Sequence, residues 1–144
     1  VIVVCPPALD IGKWESALPV EALRLASPEL SATLKAGIAA AGDAGAAFVF
    51  LGDMPLIPHG IAGDLAAALG DNAAAVPKFQ GKSGHPVLLA ARAFPAIAEL
   101  TGDEGAGRLI KARKDVAFLD CADEGVLLDI DRTEDIARLE DRRG

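Results

Sequence analysis

Asp53 is the residue whose position most suggests chemistry. It directly follows the apolar run Ala46-Ala47-Phe48-Val49-Phe50-Leu51, with Gly52 before it and Pro55 two residues later. In an open α/β sheet, ligands bind beyond the carboxyl ends of the strands, so a carboxylate delivered there meets substrate. A hard cation such as Mg²⁺ suits it, because that ion takes one or two protein carboxylates and completes its shell with phosphate oxygens and water. The competing reading is structural: Asp is common after strands because its side chain caps turns. Asp129 and Asp131 form the second candidate. A strand predicted over 126–130 puts both carboxylates on one side with Ile130 opposite, where they could complete a divalent-metal site. Asp131 is equally suited to capping a final helix predicted over 133–139.

A third candidate is the loop Gly81-Lys82-Ser83-Gly84-His85-Pro86. Two glycines around Lys82 and Ser83 can bring backbone N–H groups and a cation close to an anion. The spacing matches no phosphate-binding loop, and a plain hairpin connection explains it as well; a lone His85 is more often structural. The glycine-rich approach Gly102-Asp103-Glu104-Gly105-Ala106-Gly107-Arg108 offers a helix N-terminus to an anion. Ser31, Thr33 and Lys35 are polar positions on an earlier helix that suit solvent as well as a ligand.

These residues need elements to hold them. Val1–Val4 and 46–51 lack alternation and predict strands buried on both faces. Residues 20–26, 73–79, 86–91, 116–120 and 126–130 predict further strands. Helices are predicted over 8–18, from Ser27 to a stop at Gly42, and over 61–69, 94–100, 106–112 and 133–139. Ser27 is the expected N-cap and Pro28 the first helical residue. Strands alternating with helices imply βαβ units, a mainly parallel sheet and one domain over residues 1–144.

Composition narrows the classes further. The chain has 144 residues, a net charge of −7, 51% hydrophobic residues, five Phe, one Trp, no Tyr and two cysteines. The hydrophobic content is above that of a disordered chain, and the expected core is Val, Ile, Leu and the five Phe. An acidic balance with no Tyr and one Trp argues against nucleic acid as a partner, which would need a basic face and stacking rings. No run of about 18 apolar residues lacks a charge or a Gly/Pro break, which argues against a membrane span. Cys5 and Cys121 are too few for a disulfide framework, so a reducing cytoplasm is the expected compartment.

The order of the pieces resembles a family. Leu51–Ile57 (LGDMPLI), Ser83–Leu89 (SGHPVLL), Gly102–Ile110 (GDEGAGRLI) and Leu127–Asp135 (LLDIDRTED) run in the order seen in the MobA-like nucleotidyltransferases that act on molybdenum cofactor. The helix SATLKAGIAAA preceding LGDMP is similar too. The cytidylyltransferase branch is the nearer likeness. The resemblance implies a three-layer, Rossmann-like, mainly parallel sheet of the nucleotide-diphospho-sugar transferase type. It also implies transfer of CMP from CTP to the phosphate of molybdopterin with release of pyrophosphate and Mg²⁺ as cofactor. Asp53 falls on the family's metal-binding Asp and Asp131 on its second acidic position, with Asp129 beside it; Asp53 and Asp131 are the implied catalytic pair. Gly84, His85 and Pro86 fall on the acceptor-side segment, and Lys82 and Arg108 join them as expected substrate contacts.

The family's first strand and glycine-rich phosphate loop have no counterpart in these residues, so the expected domain is N-terminally incomplete. Lys35, Lys78, Lys82 and Arg108 are then the cations left to hold a triphosphate. The usual acidic motif D-T-P-E-D reads Asp131-Arg132-Thr133-Glu134-Asp135, and the Arg of G-D-x-G-A-R is displaced to Arg108. The alternatives are a guanylyltransferase or another nucleotidyltransferase of the same fold, or a non-catalytic domain that binds the cofactor. The sequence leaves the oligomeric state open.

Overall fold

A computed structural model describes residues 1–13, 15–132 and 135–136. Its backbone groups into two compact units, one of residues 1–47 and 90–114, the other of residues 48–89 and 115–144. In the first unit, β1 (Ile2–Cys5) pairs in parallel with β2 (Glu21–Arg24), Ile2 opposite Glu21 and Cys5 opposite Arg24. Helix α1 (Leu30–Ala40) packs on β1, and Val4 closes against Gly37, where a Cβ would lie 3.3 Å from the valine methyl. Helices α3 (Phe94–Ile97) and α4 (Ala106–Ala112) complete it, burying Leu34, Ile97, Leu109 and Ile110.

Several expectations for this unit are corrected. β1 is buried only at Cys5, because its sheet has two strands. None of the described residues in 8–18 is helical: Pro6 and Pro7 precede them, and Asp10 Oδ1 accepts the Gly12 N–H at 2.8 Å in a turn that Gly12 continues at φ +69°. Helix α1 begins later than expected. Ser27 Oγ accepts the Glu29 N–H at 3.2 Å ahead of the helix, and Glu29 occupies the N-cap position in extended conformation. The expected stop at Gly42 holds, with φ +58° just after the C-cap Ala41.

Most of the larger sheet lies in the second unit; its strand order is β3-β6-β4-β5, with β7 also paired to β4. Its strands are β3 (Ala46–Val49), β4 (Ala74–Phe79), β5 (Lys82–Ser83), β6 (Val87–Ala90) and β7 (Val116–Asp120). β4 runs parallel to β7, with Val76 opposite Phe118, and antiparallel to β5 and β6. Helix α2 (Ile61–Leu69) covers one face, placing Ile61 and Leu65 in a cluster with Ala75, Leu88 and Val126. Ending α2 at Gly70 suits its φ of +48°.

The apolar run 46–51 is not a strand buried on both faces. β3 alternates exposed and half-buried residues because it lies at the end of the sheet order, paired with β6 alone among the described strands. Phe48, Phe50 and Phe118 are 37%, 53% and 47% exposed, so the core draws mainly on alanine and aliphatic side chains, with Phe79 packed at its margin. The segment 127–130 is not a strand either. A 3₁₀ turn (Glu124–Val126) precedes it, and the Ile130 N–H donates to the Asp53 carbonyl at 2.9 Å in place of a ladder bond. The predicted helix 133–139, with Thr133 and Glu134, lies largely outside the described residues. No helix among the described residues is long and apolar enough to cross a membrane.

Candidate active site

β3 ends at Val49, and the chain turns through Gly52 and Asp53, with the Met54 N–H donating to the Leu51 carbonyl at 3.3 Å. Met54 is buried beneath this turn while Asp53 is exposed at its tip. The hydrophobic anchor fixes the backbone and leaves the carboxylate outward. The capping alternative finds no support at α2, whose N-cap is Gly60 with no side-chain hydrogen bond.

The loop 80–86 divides into two parts with different roles. Gln80 and Gly81 have φ of +48° and +80°, the two left-handed residues of a tight hairpin turn joining Phe79 to its partner Lys82. The plain-hairpin reading therefore accounts for Gly81, Lys82 and Ser83, and Lys82 is exposed on β5. Gly84, His85 and Pro86 leave the hairpin and pass beneath the 124–126 turn; the His85–Pro86 peptide bond is cis. The Gly84 N–H donates to Pro77 O at 2.8 Å and the His85 N–H to Val126 O at 2.8 Å. Gly84 and Pro86 are buried and His85 is half-buried. Burial holds the His85 imidazole below its usual pKa, and the Asp53 carboxylate partly offsets this by favouring the protonated form. The Asp53 carboxylate is thus near enough to His85 to act on it electrostatically.

The Ile130 N–H contact ties the Asp129–Asp131 segment to Asp53 through backbone, while both carboxylates are exposed. Because 127–130 is irregular, strand alternation does not place Asp129 and Asp131 together. Among the described residues no group of three or more Asp, Glu, His or Cys side chains is assembled to hold a metal. A one- or two-carboxylate site completed by phosphate and water remains the arrangement these residues fit.

The expected cations are variously engaged. Lys78 Nζ sits 3.8 Å from the centre of the Phe118 ring. In the other unit, Arg108 on α4 pairs at 2.8 Å with Glu104, in the loop just before that helix. Glu104 also accepts the Thr101 N–H at 2.9 Å and the Thr101 hydroxyl at 3.3 Å. The Thr101 backbone bond is the main cause of its lowered pKa, with smaller contributions from Arg108 and Lys35. Arg108 thus serves first to close its own loop. Sequence reasoning missed Asp123 and Gly125. The pattern Asp-x-Gly is a local turn signal, but the contacts that give it weight come from residues about 40 to 70 positions away.

The model for the MobA-like NTP transferase domain matches residues 1–116, which include Asp53, Lys82–Pro86 and Arg108 but neither Asp129 nor Asp131. No curated protein matches the sequence. Among solved structures, the homologue of Mycobacterium tuberculosis Rv0371c from Mycobacterium sp. strain JC1 is 30% identical. Its TM-score is 0.79, over 98% of this chain and 73% of that one. Rv0371c from M. tuberculosis H37Rv is 22% identical with a TM-score of 0.77, over 97% and 75% of the two chains. A structure of Rv0371c in complex with manganese is 21% identical with a TM-score of 0.74, over 96% and 76%. The mixed sheet with its helices is accordingly the Rossmann-like α/β fold of the nucleotide-diphospho-sugar transferase type, and the chain is a nucleotidyltransferase that belongs to the MobA-like NTP transferase family.

Proposed function

We propose that the chain transfers CMP from CTP to the terminal phosphate of a molybdopterin-type acceptor with the help of Mg²⁺, in the cytoplasm. A phosphate oxygen of the acceptor bonds to the α-phosphorus, the bond from that phosphorus to the β-phosphate bridge breaks, and pyrophosphate leaves. The chemistry requires no protein nucleophile. It requires two anions to be held in line and their repulsion screened.

The observation that carries this reading is Asp53, exposed on a turn at the carboxyl end of β3 with a buried methionine anchoring the turn. Its donor chemistry, a hard anionic oxygen facing solvent, fits a divalent cation whose remaining positions go to phosphate and water. Asp53 would hold that ion, with Asp129 and Asp131 brought toward it by the Ile130–Asp53 backbone bond. The ion supplies charge neutralisation and alignment of the two phosphate groups. The manganese in the Rv0371c structure supports divalent-metal use in this fold. Gly84, His85 and Pro86 border the acceptor side; the depressed pKa of His85 keeps its imidazole neutral at pH 7, able to donate or accept one hydrogen bond without attracting a second anion. Lys82 is the exposed cation nearest them in sequence.

The test is pyrophosphate release from CTP and from GTP in parallel, with molybdopterin as acceptor and Mg²⁺ or Mn²⁺ present. Release with CTP alone supports the proposal. Release with GTP alone moves the chain to the guanylyl branch, and release with neither nucleotide overturns the acceptor assignment.

A further inference from the structure

Three segments border the candidate site: 51–57, 84–86 and 123–131. They meet at one turn. Asp123 Oδ1 accepts the Gly125 N–H at 2.8 Å, and the Leu127 N–H closes the turn on Glu124 O at 2.8 Å. On one side the turn rests on the Asp53 loop. A Cβ on Gly125 would overlap the Leu56 carbonyl oxygen and lie 3.0 Å from its carbon. On the other side it holds the His85 loop. The His85 N–H donates to Val126 O, and a Cβ on Gly84 would overlap that same oxygen and lie 2.8 Å from its carbon. The Val126 side chain, fully buried with Ile61, Leu65, Ala75 and Leu88, anchors the turn to the core. Past the turn, Ile130 bonds back to the Asp53 carbonyl.

We propose that Gly84, Asp123 and Gly125 are positioning residues: the turn Asp123–Leu127 is the shared spacer that sets the separation between the Asp53 carboxylate and His85. Both glycine contacts are made directly against carbonyl groups, so no side-chain rotamer can absorb a change in spacing. The two loops therefore open and close together. The consequence for catalysis rests on Asp53 being the metal carboxylate; the mechanical coupling does not.

Residue-resolved native-state hydrogen exchange on the full chain, in increasing urea, tests the coupling. The His85, Gly125 and Ile130 amides are expected to exchange through one opening, with a common urea dependence. Asp123→Ala removes an exposed cap and leaves the core intact. It is expected to accelerate exchange at His85 and Ile130 together by about fivefold, leaving Ala73, bonded to Asp115 O, unchanged. Asp123→Asn keeps an acceptor oxygen and is expected to restore protection. Separate urea dependences in the unmodified protein, or acceleration of only one of the two amides in Asp123→Ala, would overturn the proposal.

Mn²⁺ titration of the same samples separates the two claims. Weaker Mn²⁺ binding in Asp123→Ala, with cooperative unfolding retained and recovery in Asp123→Asn, supports both. Coupled exchange with no Mn²⁺ bound by the unmodified protein supports the spacer and rejects the metal role of Asp53.

Discussion

Replacing Gly84 with alanine adds one methyl group at the point where the His85 loop passes under the Val126 carbonyl. That methyl would lie 2.8 Å from the carbonyl carbon and 3.0 Å from the Val126 Cβ, and closer still to the oxygen. Ordinary carbon contacts begin near 3.5 Å, so the loop or the turn must retreat by roughly 1 Å. Retreat of the loop breaks the His85 N–H bond to Val126 O, and leaving buried partners unpaired costs about 1–3 kcal/mol. Retreat of the turn instead pushes a fully buried Val126 into its neighbours, an overpacking cost of about 1–3 kcal/mol. Either way the expected destabilisation is about 1–3 kcal/mol. With a urea slope of about 2 kcal/mol per molar, the unfolding midpoint falls by about 0.5–1.5 M. Gly63→Ala is the matched control. It sits inside α2 with open space where its Cβ would be, and it should gain about 0.5–1 kcal/mol. The assay is urea unfolding followed by circular dichroism. A Gly84→Ala midpoint within about 0.3 M of the unmodified protein would refute the reasoning.

Burial lowers the His85 pKa from 6.5, so the unfolded chain takes up this proton at higher pH than the native one. The resulting stability is full above the unfolded value and is lost as pH falls from about 6.5 through the folded pKa. His85→Gln should flatten that loss in urea midpoints measured across the window, and Asp53→Asn should move the His85 titration, followed by NMR, to still lower pH. Gln80 occupies a left-handed hairpin position that Asn tolerates better. Gln80→Asn should therefore stabilise the chain by up to about 1 kcal/mol in the same unfolding assay.

The elements legible from sequence are those whose ends carry backbone signals. Helix α2 is bounded by Gly60 and Gly70, and its predicted span 61–69 coincides with Ile61–Leu69. The predicted spans of α4 and β7 likewise match their observed limits. The turn at Gly52–Asp53 is marked by the following Pro55. What sequence could not show depends on where strands sit in the sheet. Phe48 and Phe50 look like core residues until β3 is seen at the end of the strand order, where its apolar side chains stay exposed. Segment 127–130 has strand composition, but its Ile130 N–H is taken by the Asp53 carbonyl, a tertiary bond no local pattern announces. The same blindness hid Gly125, whose importance comes from a carbonyl at Leu56. At the candidate site, the Asp53 turn and the Gly84–Pro86 segment stand out in the sequence through their motifs. The hairpin role of Gly81 and Lys82 needed the two positive φ angles to decide it.

On the proposed chemistry, Asp53 holds a divalent cation together with the nucleotide. Calorimetric titration of CTP with Mn²⁺ present, on the unmodified chain and on Asp53→Asn, tests it directly. Asp53 is exposed, so the substitution should leave the unfolding midpoint almost unchanged. The expected result is metal-dependent CTP binding in the unmodified chain that weakens at least tenfold, about 1.4 kcal/mol, in Asp53→Asn. Equal affinity in the two proteins, each dependent on Mn²⁺, would contradict the assignment and place the metal on other residues.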